Sequence, residues 1–350
     1  MFRSPAHTEP LDQHRLAAHL AGEGMQLALE QAPRMFAGGL GNWNYLVEVD
    51  GLPYVLRRPP AGPLPVGAND MAREYRILSR LHRGFDLAPY SPLFCGDPSV
   101  IGAPFLLIEY REGQVIRGEL PGGLLESEAQ RRAFSERVID VLVQLHAVDP
   151  RDVDLQDLGR PAGMVERQAR NWTLRARDAF GGALPPSLQS LAVWLAGPAP
   201  PPQRTTLLHS DFKFDNLIVA APGSGEPRAL IDWDMGTLGD PLLDLATLVS
   251  YWIEPGDAAP VQLLGQMPTT LPGFPTRNEV LELYARRSGL DLSNFRYYRV
   301  LALFKLCVVF QQLHRRHVRG EFKAAGAASF GRLTEGLIDF ATHAFATERY

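Results

Sequence analysis

The sequence predicts an α+β chain in two lobes, a small β-rich N-terminal lobe followed by a larger, mainly helical C-terminal one. Three observations carry this expectation. At 350 residues, and roughly 150 residues per domain, the chain holds about two compact units. Two β-type runs, "NYLVEV" and "YVLRR", meet at Asp50-Gly51, a dipeptide suited to the tight turn of a hairpin. Beyond residue 112 the apolar residues recur mostly at three- and four-residue spacing, the period of a helix with one buried face.

Each element follows in order. "LDQHRLAAHLAGEG" has helical spacing, and Gly22 and Gly24 are its stop signals. A glycine-rich turn, Gly38-Gly39-Leu40-Gly41, precedes the hairpin, and a Pro/Gly-rich loop near residues 59–67 follows it. "DMAREYRILSRLH" returns to helical periodicity, and "PFLLIEY" reads as a strand. The polar, glycine-rich "REGQVIRGELPGG" is the expected hinge, which divides the chain into residues 1–111 and 112–350. From Glu126 to His146 a helix is expected, with Phe134, Val138, Val141, Leu142 and Leu145 on one face. After the connector "LAGPAPPPQR", the runs "NLIVA" and "RALIDW" suggest a second hairpin across "APGSGEP". Past Asp240-Pro241 the pattern is mostly helical, interrupted by a Pro/Gly-rich stretch near residues 255–276.

Composition narrows the function classes. Hydrophobic residues at 45% and charged residues at 21% are the mix of a folded, soluble protein. A net charge of -4 offers no basic stripe for nucleic acid. No apolar run reaches membrane length and the first residues lack a signal-peptide core, so a cytoplasmic protein, monomer or homodimer, is expected. Cys95 and Cys307 sit in apolar contexts without metal-ligand spacing, which suits buried reduced thiols.

The chemistry concentrates in "HSDFKFDN", His209 to Asn216, a polar octapeptide between the apolar runs "LL" and "LIVA". Asp211 stands five positions before Asn216, and after the second hairpin comes Asp232 in "LIDWD". This is the layout of a phosphoryl-transfer loop, H-x-D-x-x-x-x-N, followed by a strand that ends in a metal-binding Asp. One carboxylate must orient an acceptor hydroxyl and take its proton, the role that fits Asp211. Magnesium wants hard oxygen ligands, which Asn216 and Asp232 supply. Lys213 can offset the charge on a transferring phosphate.

These residues, with "LIDWDMGTLGDPLLDLA", "GGLGNWNYLV", "YVLRR" and "REYRIL", resemble the aminoglycoside phosphotransferase and choline kinase branch of the protein-kinase-like fold. The chain looks most like the bacterial subgroup related to kinase domains that accompany acyl-CoA dehydrogenases. The resemblance implies ATP and Mg2+ as cofactors, with ATP between the lobes and under a glycine turn that includes Gly39, Gly41 and Asn42. It also implies that backbone groups near Glu109, Tyr110 and Arg111 meet adenine. Arg57 stands at the position of the family's phosphate-pairing lysine, with Arg58 beside it as the other candidate. Arginine keeps the charge but presents a longer planar fork. Glu74 is the expected partner that aims it.

The expected activity is phosphorylation of a hydroxyl on a small molecule. A hydroxyacyl or other metabolic alcohol suits the mixed charges of residues 254–292 better than a polycationic aminoglycoside. A non-catalytic nucleotide-binding scaffold is the alternative, motivated by the missing lysine. His209, Asp240 and Asp244 are read as structural supports, Asp240 and Asp244 through the cap and dipole of the helix they precede or begin. The "HRRH" run, His314 to His317, reads as a solvated face.

Overall fold

The computed structural model describes residues 2–3, 8–37, 41–60, 69–322 and 326–347. The elements run α1 Gln13–Gly22, β1 Arg34–Met35, β2 Trp43–Val49, β3 Leu52–Arg58, α2 Met71–Leu81, β4 Leu93–Cys95, α3 Pro98–Ile101 and β5 Phe105–Glu109. They continue with β6 Gln114–Val115, α4 Glu128–Ala147, α5 Met164–Ala179, α6 Pro186–Leu195, β7 Thr206–Leu208, β8 Leu217–Val219, β9 Pro227–Leu230 and β10 Thr237–Gly239. The last helices are α7 Leu242–Tyr251, α8 Ala259–Gln262, α9 Arg277–Ser288, α10 Phe295–Val318 and α11 Phe330–Thr347.

The chain divides into two compact units. The first takes Met1–Glu112 together with Arg151–Leu155 and Arg228–Gly236, and the second takes the rest. Two short downstream segments thus join the N-terminal unit, and one of them carries Asp232.

In the first unit β1-β2-β3-β5-β4 form a five-stranded antiparallel sheet. The β2–β3 hairpin turns at Asp50 and Gly51, both with positive φ (53° and 75°), the conformation that the Asp-Gly pair tolerates. One sheet face buries Tyr45, Val47, Leu56, Phe105 and Leu107 against Leu16 and Leu20 of α1. Neighbouring side chains on a strand point oppositely, so Arg57, next to Leu56, faces the other side. There α2 begins behind an Asp70 cap and carries Glu74 in its first turn.

The second unit is helical. Capping boxes start α4 (Ser127 with Gln130) and α9 (Thr276 with Glu279). The expected face of α4 is buried at Phe134, Val138, Val141, Leu142 and Leu145. Helix α10 is 24 residues long and packs against α5, α6, α7 and α11. From Tyr297 to Val308 every residue of it is buried except Lys305. A helix covered on all sides should be apolar all round, so the two cations in this stretch, the buried Arg299 and the half-buried Lys305, are exceptions.

Two strand pairs frame the polar octapeptide. β7 pairs antiparallel with β10, and β6 pairs antiparallel with β8. The hinge read at residues 111–123 therefore contains a short strand, because Gln114 and Val115 find ladder partners in Val219 and Ile218. β9 ends at Leu230, two residues before Asp232, since Asp232 adopts φ 72°, which a strand cannot accommodate.

No described helix is long and apolar enough to cross a membrane. Cys95 and Cys307 are both buried and free, and burial pushes the Cys307 thiol well up. A thiol reagent at neutral pH should therefore label neither cysteine in the native protein and both after unfolding. Rapid native labelling would contradict this packing.

Candidate active site

In the first unit, Glu74 ties three segments together. One of its oxygens accepts from Arg57 Nε at 2.7 Å and the other from the Trp233 backbone N–H at 3.2 Å. Arg57 also pairs with Asp232 through Nη2. Trp233 is fully buried and closes its turn by donating Nε1–H to the Leu230 carbonyl at 2.8 Å. The strained φ of Asp232 is thus held by contacts on the next residue and on its own carboxylate.

Electrostatics keep this cluster charged at Arg57. Burial alone lowers the guanidinium pKa, but Asp232 and Glu74 outweigh it and the net shift is upward. For Glu74, burial raises the carboxyl to about 7 while Arg57 pulls it down. Arg58 is engaged elsewhere. Its Nη1 donates to the Ile101 carbonyl at 2.6 Å and its guanidinium stacks on Trp43. Of the two adjacent arginines, Arg57 is the one that meets Glu74 and Asp232.

The other residues expected at the nucleotide lie in the same unit. Gly39 lies outside the described residues, as does Gly38. The Gly41 carbonyl and Asn42 Oδ1 both accept from Asn69 Nδ2, which precedes the Asp70 cap of α2. Glu109 pairs with Tyr54 in the sheet, three register positions from Arg57. Its carboxylate accepts from the Tyr90 N–H and binds Arg111 Nε at 2.8 Å. The N–H groups of Glu109 and Tyr110 already donate, to the carbonyls of Tyr90 and Pro53. They are therefore not open donors for adenine, whereas the Arg111 N–H makes no hydrogen bond among the described residues.

In the second unit, "HSDFKFDN" alternates its allegiance. Phe212 and Phe214 are buried, and Phe214 packs edge-on against Phe134 and Trp252. Asp211 and Lys213, on the opposite phase, keep partial exposure of 25% and 11% at their side chains. Lys213 Nζ lies 2.5 Å from Asp211 Oδ2 and above the ring of Tyr251. Burial lowers the Lys213 pKa, yet Asp211 and other neighbours outweigh it, so Lys213 stays protonated. Asn216 Nδ2 donates to the Asp211 carbonyl at 2.8 Å and to Asp211 Oδ2 at 3.1 Å. Both side-chain contacts fall on Oδ2, leaving Asp211 Oδ1 without a hydrogen bond among the described residues.

The Asn216 partners are acceptors only, so its amide nitrogen must face Asp211 and its Oδ1 must face away. A free amide oxygen is a hard ligand suited to a divalent cation, and the Asp232 carboxylate of the first unit is another.

Asp244 holds this loop in place. Its two oxygens accept from the consecutive N–H groups of His209 and Ser210, each at 2.7 Å. Ser210 has φ 69°, a left-handed conformation that a non-glycine residue adopts at some cost, and this grip stabilises it. Asp244 Oδ2 also receives His146 Nε2 at 3.4 Å, and His146 Nδ1 meets the Tyr284 hydroxyl at 2.7 Å. Because the carboxylate only accepts, the hydrogen sits on Nε2 and Tyr284 donates to Nδ1. The sequence reading gave Asp244 a helix-dipole role, and three-dimensional contact makes it the clamp of the loop. The N-cap position of α7 falls on Pro241 and not on Asp240, whose carboxylate nevertheless accepts from the N–H of Leu242, the first helical residue, and from the Tyr298 hydroxyl. His209 is fully buried, in keeping with a supporting role.

Lys305 of α10 was not singled out from the sequence. Its Nζ donates to the Ser210 carbonyl at 3.3 Å. The available signal was a lysine between the apolar runs "VLALF" and "LCVVF", which periodicity does not distinguish from an exposed edge. Among the described residues no group of three or more His, Cys, Asp or Glu is placed to hold a metal. A cavity of about 570 Å³ near Glu254, Arg277 and Phe340 contains none of the loop residues.

Comparison with known proteins fits this geometry. Residues 33–280 match the model of the phosphotransferase enzyme family, APH. The chain is 32% identical over 315 residues to mouse acyl-CoA dehydrogenase family member 10, covering 89% of this chain and 29% of that protein. It is 30% identical over 356 residues to chicken acyl-CoA dehydrogenase family member 11, covering 97% of this chain and 45% of that protein. The chain therefore spans less than half the length of these relatives. Among solved structures, a putative aminoglycoside phosphotransferase from Ralstonia eutropha JMP134 superposes with a TM-score of 0.75 at 27% identity, covering 95% and 98% of the two chains. The fold is thus the protein-kinase-like α+β fold.

Two substitutions test the two clamps. Glu74→Gln keeps an acceptor for Trp233 but removes the buried charge facing Arg57, and should lower stability by about 3–5 kcal/mol in denaturant unfolding. Asp244→Asn leaves one oxygen for two N–H donors, should cost about 1–3 kcal/mol, and should speed amide exchange at His209 and Ser210.

Proposed function

The chain belongs to the phosphotransferase enzyme family, and from that premise we propose that it transfers the γ-phosphoryl group of ATP to a hydroxyl of a small molecule. The observation that carries this is the asymmetry of Asp211. Lys213 and Asn216 hold Oδ2, and Oδ1 remains open to a proton. A general base needs that combination of fixed orientation and a free oxygen.

In the proposed reaction the acceptor O–H loses its proton to Asp211, a new O–P bond forms, and the bond from the γ-phosphorus to the β-phosphate oxygen breaks to release ADP. Lys213, protonated and against Asp211, would stabilise charge on the phosphoryl oxygens. Arg57 would exchange part of its contact with Asp232 for a nucleotide phosphate, with Glu74 keeping its fork aimed. The Arg111 N–H is the remaining hinge donor for adenine. Asn216 Oδ1 and the Asp232 carboxylate would hold Mg2+, which when bound offsets phosphate charge. An alcohol of metabolic origin is the favoured acceptor, and the carriers of related domains suggest hydroxyacyl compounds as one group to screen.

The test is ADP release and a phosphate-sized mass gain across a library of hydroxy compounds. Asp211→Asn should reduce kcat about 10²- to 10⁴-fold while leaving the Kd for Mg·ATP within about threefold. Equal turnover by wild type and variant would overturn the assignment of the base, and nucleotide binding with no transfer to any acceptor would favour a scaffold. Arg57→Met should weaken Mg·ATP binding by about tenfold or more in calorimetry. Unchanged affinity would remove Arg57 from the phosphate site.

A further inference from the structure

Lys305 feels the charges of Asp211 and Asp244 but makes no direct ion pair among the described residues. Its ammonium donates to the Ser210 carbonyl at 3.3 Å and sits over the Trp172 ring at 5.9 Å. The nearby carboxylates are already committed. Asp244 is filled by the His209 and Ser210 N–H groups with His146, and Asp211 binds Lys213 and Asn216. The other neighbouring charges are Lys213 and Arg175, both positive, and Arg175 also lies over the Trp172 ring, at 4.8 Å. Half-burying an ammonium with no carboxylate in direct contact still costs part of its hydration, and that desolvation lowers the pKa of Lys305. A fold that needed only packing here would place a leucine in α10, as its neighbours on both sides are apolar.

We infer that Lys305 receives a negatively charged group, carboxylate or phosphate, carried by the acceptor beside the hydroxyl that Asp211 deprotonates. Lys305 holds the carbonyl of Ser210, the residue preceding Asp211, so a ligand bound to its ammonium lies next to the base. The ammonium has three N–H donors, and one is used by Ser210. The remaining two suit an anionic oxygen, and Trp172 offers an apolar wall for the carbon chain. The acceptor class is therefore acidic hydroxy compounds rather than polyamines, whose charge Lys305, Lys213 and Arg175 would repel. This inference rests on the phosphotransferase reading above and adds the charge of the acceptor to it.

The experiment compares short hydroxycarboxylic acids and hydroxyalkyl phosphates with their neutral counterparts, the hydroxyamides and the diols, in wild type and in Lys305→Met and Lys305→Arg. The expected wild-type preference is for the charged member of each pair in kcat/KM, expressed mainly in KM. Lys305→Met should shrink that preference about ten- to hundredfold, and Lys305→Arg should restore part of it. A purely structural lysine would instead lower both members of each pair together and leave their ratio intact, which overturns the inference. Equilibrium binding of the same pairs by calorimetry gives an independent reading. A charge preference that Lys305→Met abolishes supports the inference even if wild type transfers no phosphate, an outcome that would count against the phosphotransferase reading alone. No preference in either assay, or a preference for cations, overturns it.

Discussion

Two consecutive backbone N–H groups, those of His209 and Ser210, end on one buried carboxylate, Asp244. Most of what the second unit can do depends on that grip. Ser210 adopts a left-handed conformation just before Asp211, and the alternation that follows buries Phe212 and Phe214 while presenting Asp211 and Lys213. Without an acceptor for both donors, the turn would leave unsatisfied polar groups in a packed interior. His146 and Tyr284 extend the clamp into α4 and α9, so the loop is anchored to two helices as well as to α7.

The first unit solves a similar problem with Glu74. Asp232 is another non-glycine residue at positive φ, and the residue after it is tied to α2 through the Glu74 carboxylate. Arg57 links the same carboxylate to Asp232. Each unit thus stores strain beside an acidic side chain and restrains it with a buried carboxylate from a helix N-terminal turn. Exposed ion pairs contribute little stability, but pairs this buried are worth far more when one partner is lost, because the survivor stays desolvated.

Charge distribution around the loop is the less expected feature. Asp211 is paired with Lys213 and lies within reach of the charge of Lys305, which itself has Arg175 as a neighbour. A positive environment favours anionic partners. In the first unit, the arginine that stands at the usual lysine position spans two carboxylates at once with its fork, which a single ammonium on a shorter stem does less readily.

Much of this was legible in the sequence. The hairpin at Asp50-Gly51, the buried face of α4, the helix with Glu74 and the grouping of Asp211, Lys213 and Asn216 all follow from local signals: turn chemistry, periodicity and fixed spacing within a few residues. What the sequence did not determine depends on contacts between distant segments. Whether Arg57 or Arg58 meets Glu74 rests on strand phase, because adjacent residues differ only in which face they occupy. The roles of Asp244 and Lys305 rest on helices separated from the loop by roughly 30 and 100 residues folding back onto it. Spacing along a chain fixes which side chains share a turn or a face, whereas the partner of a buried charge is chosen by packing, and only the tertiary structure decides that.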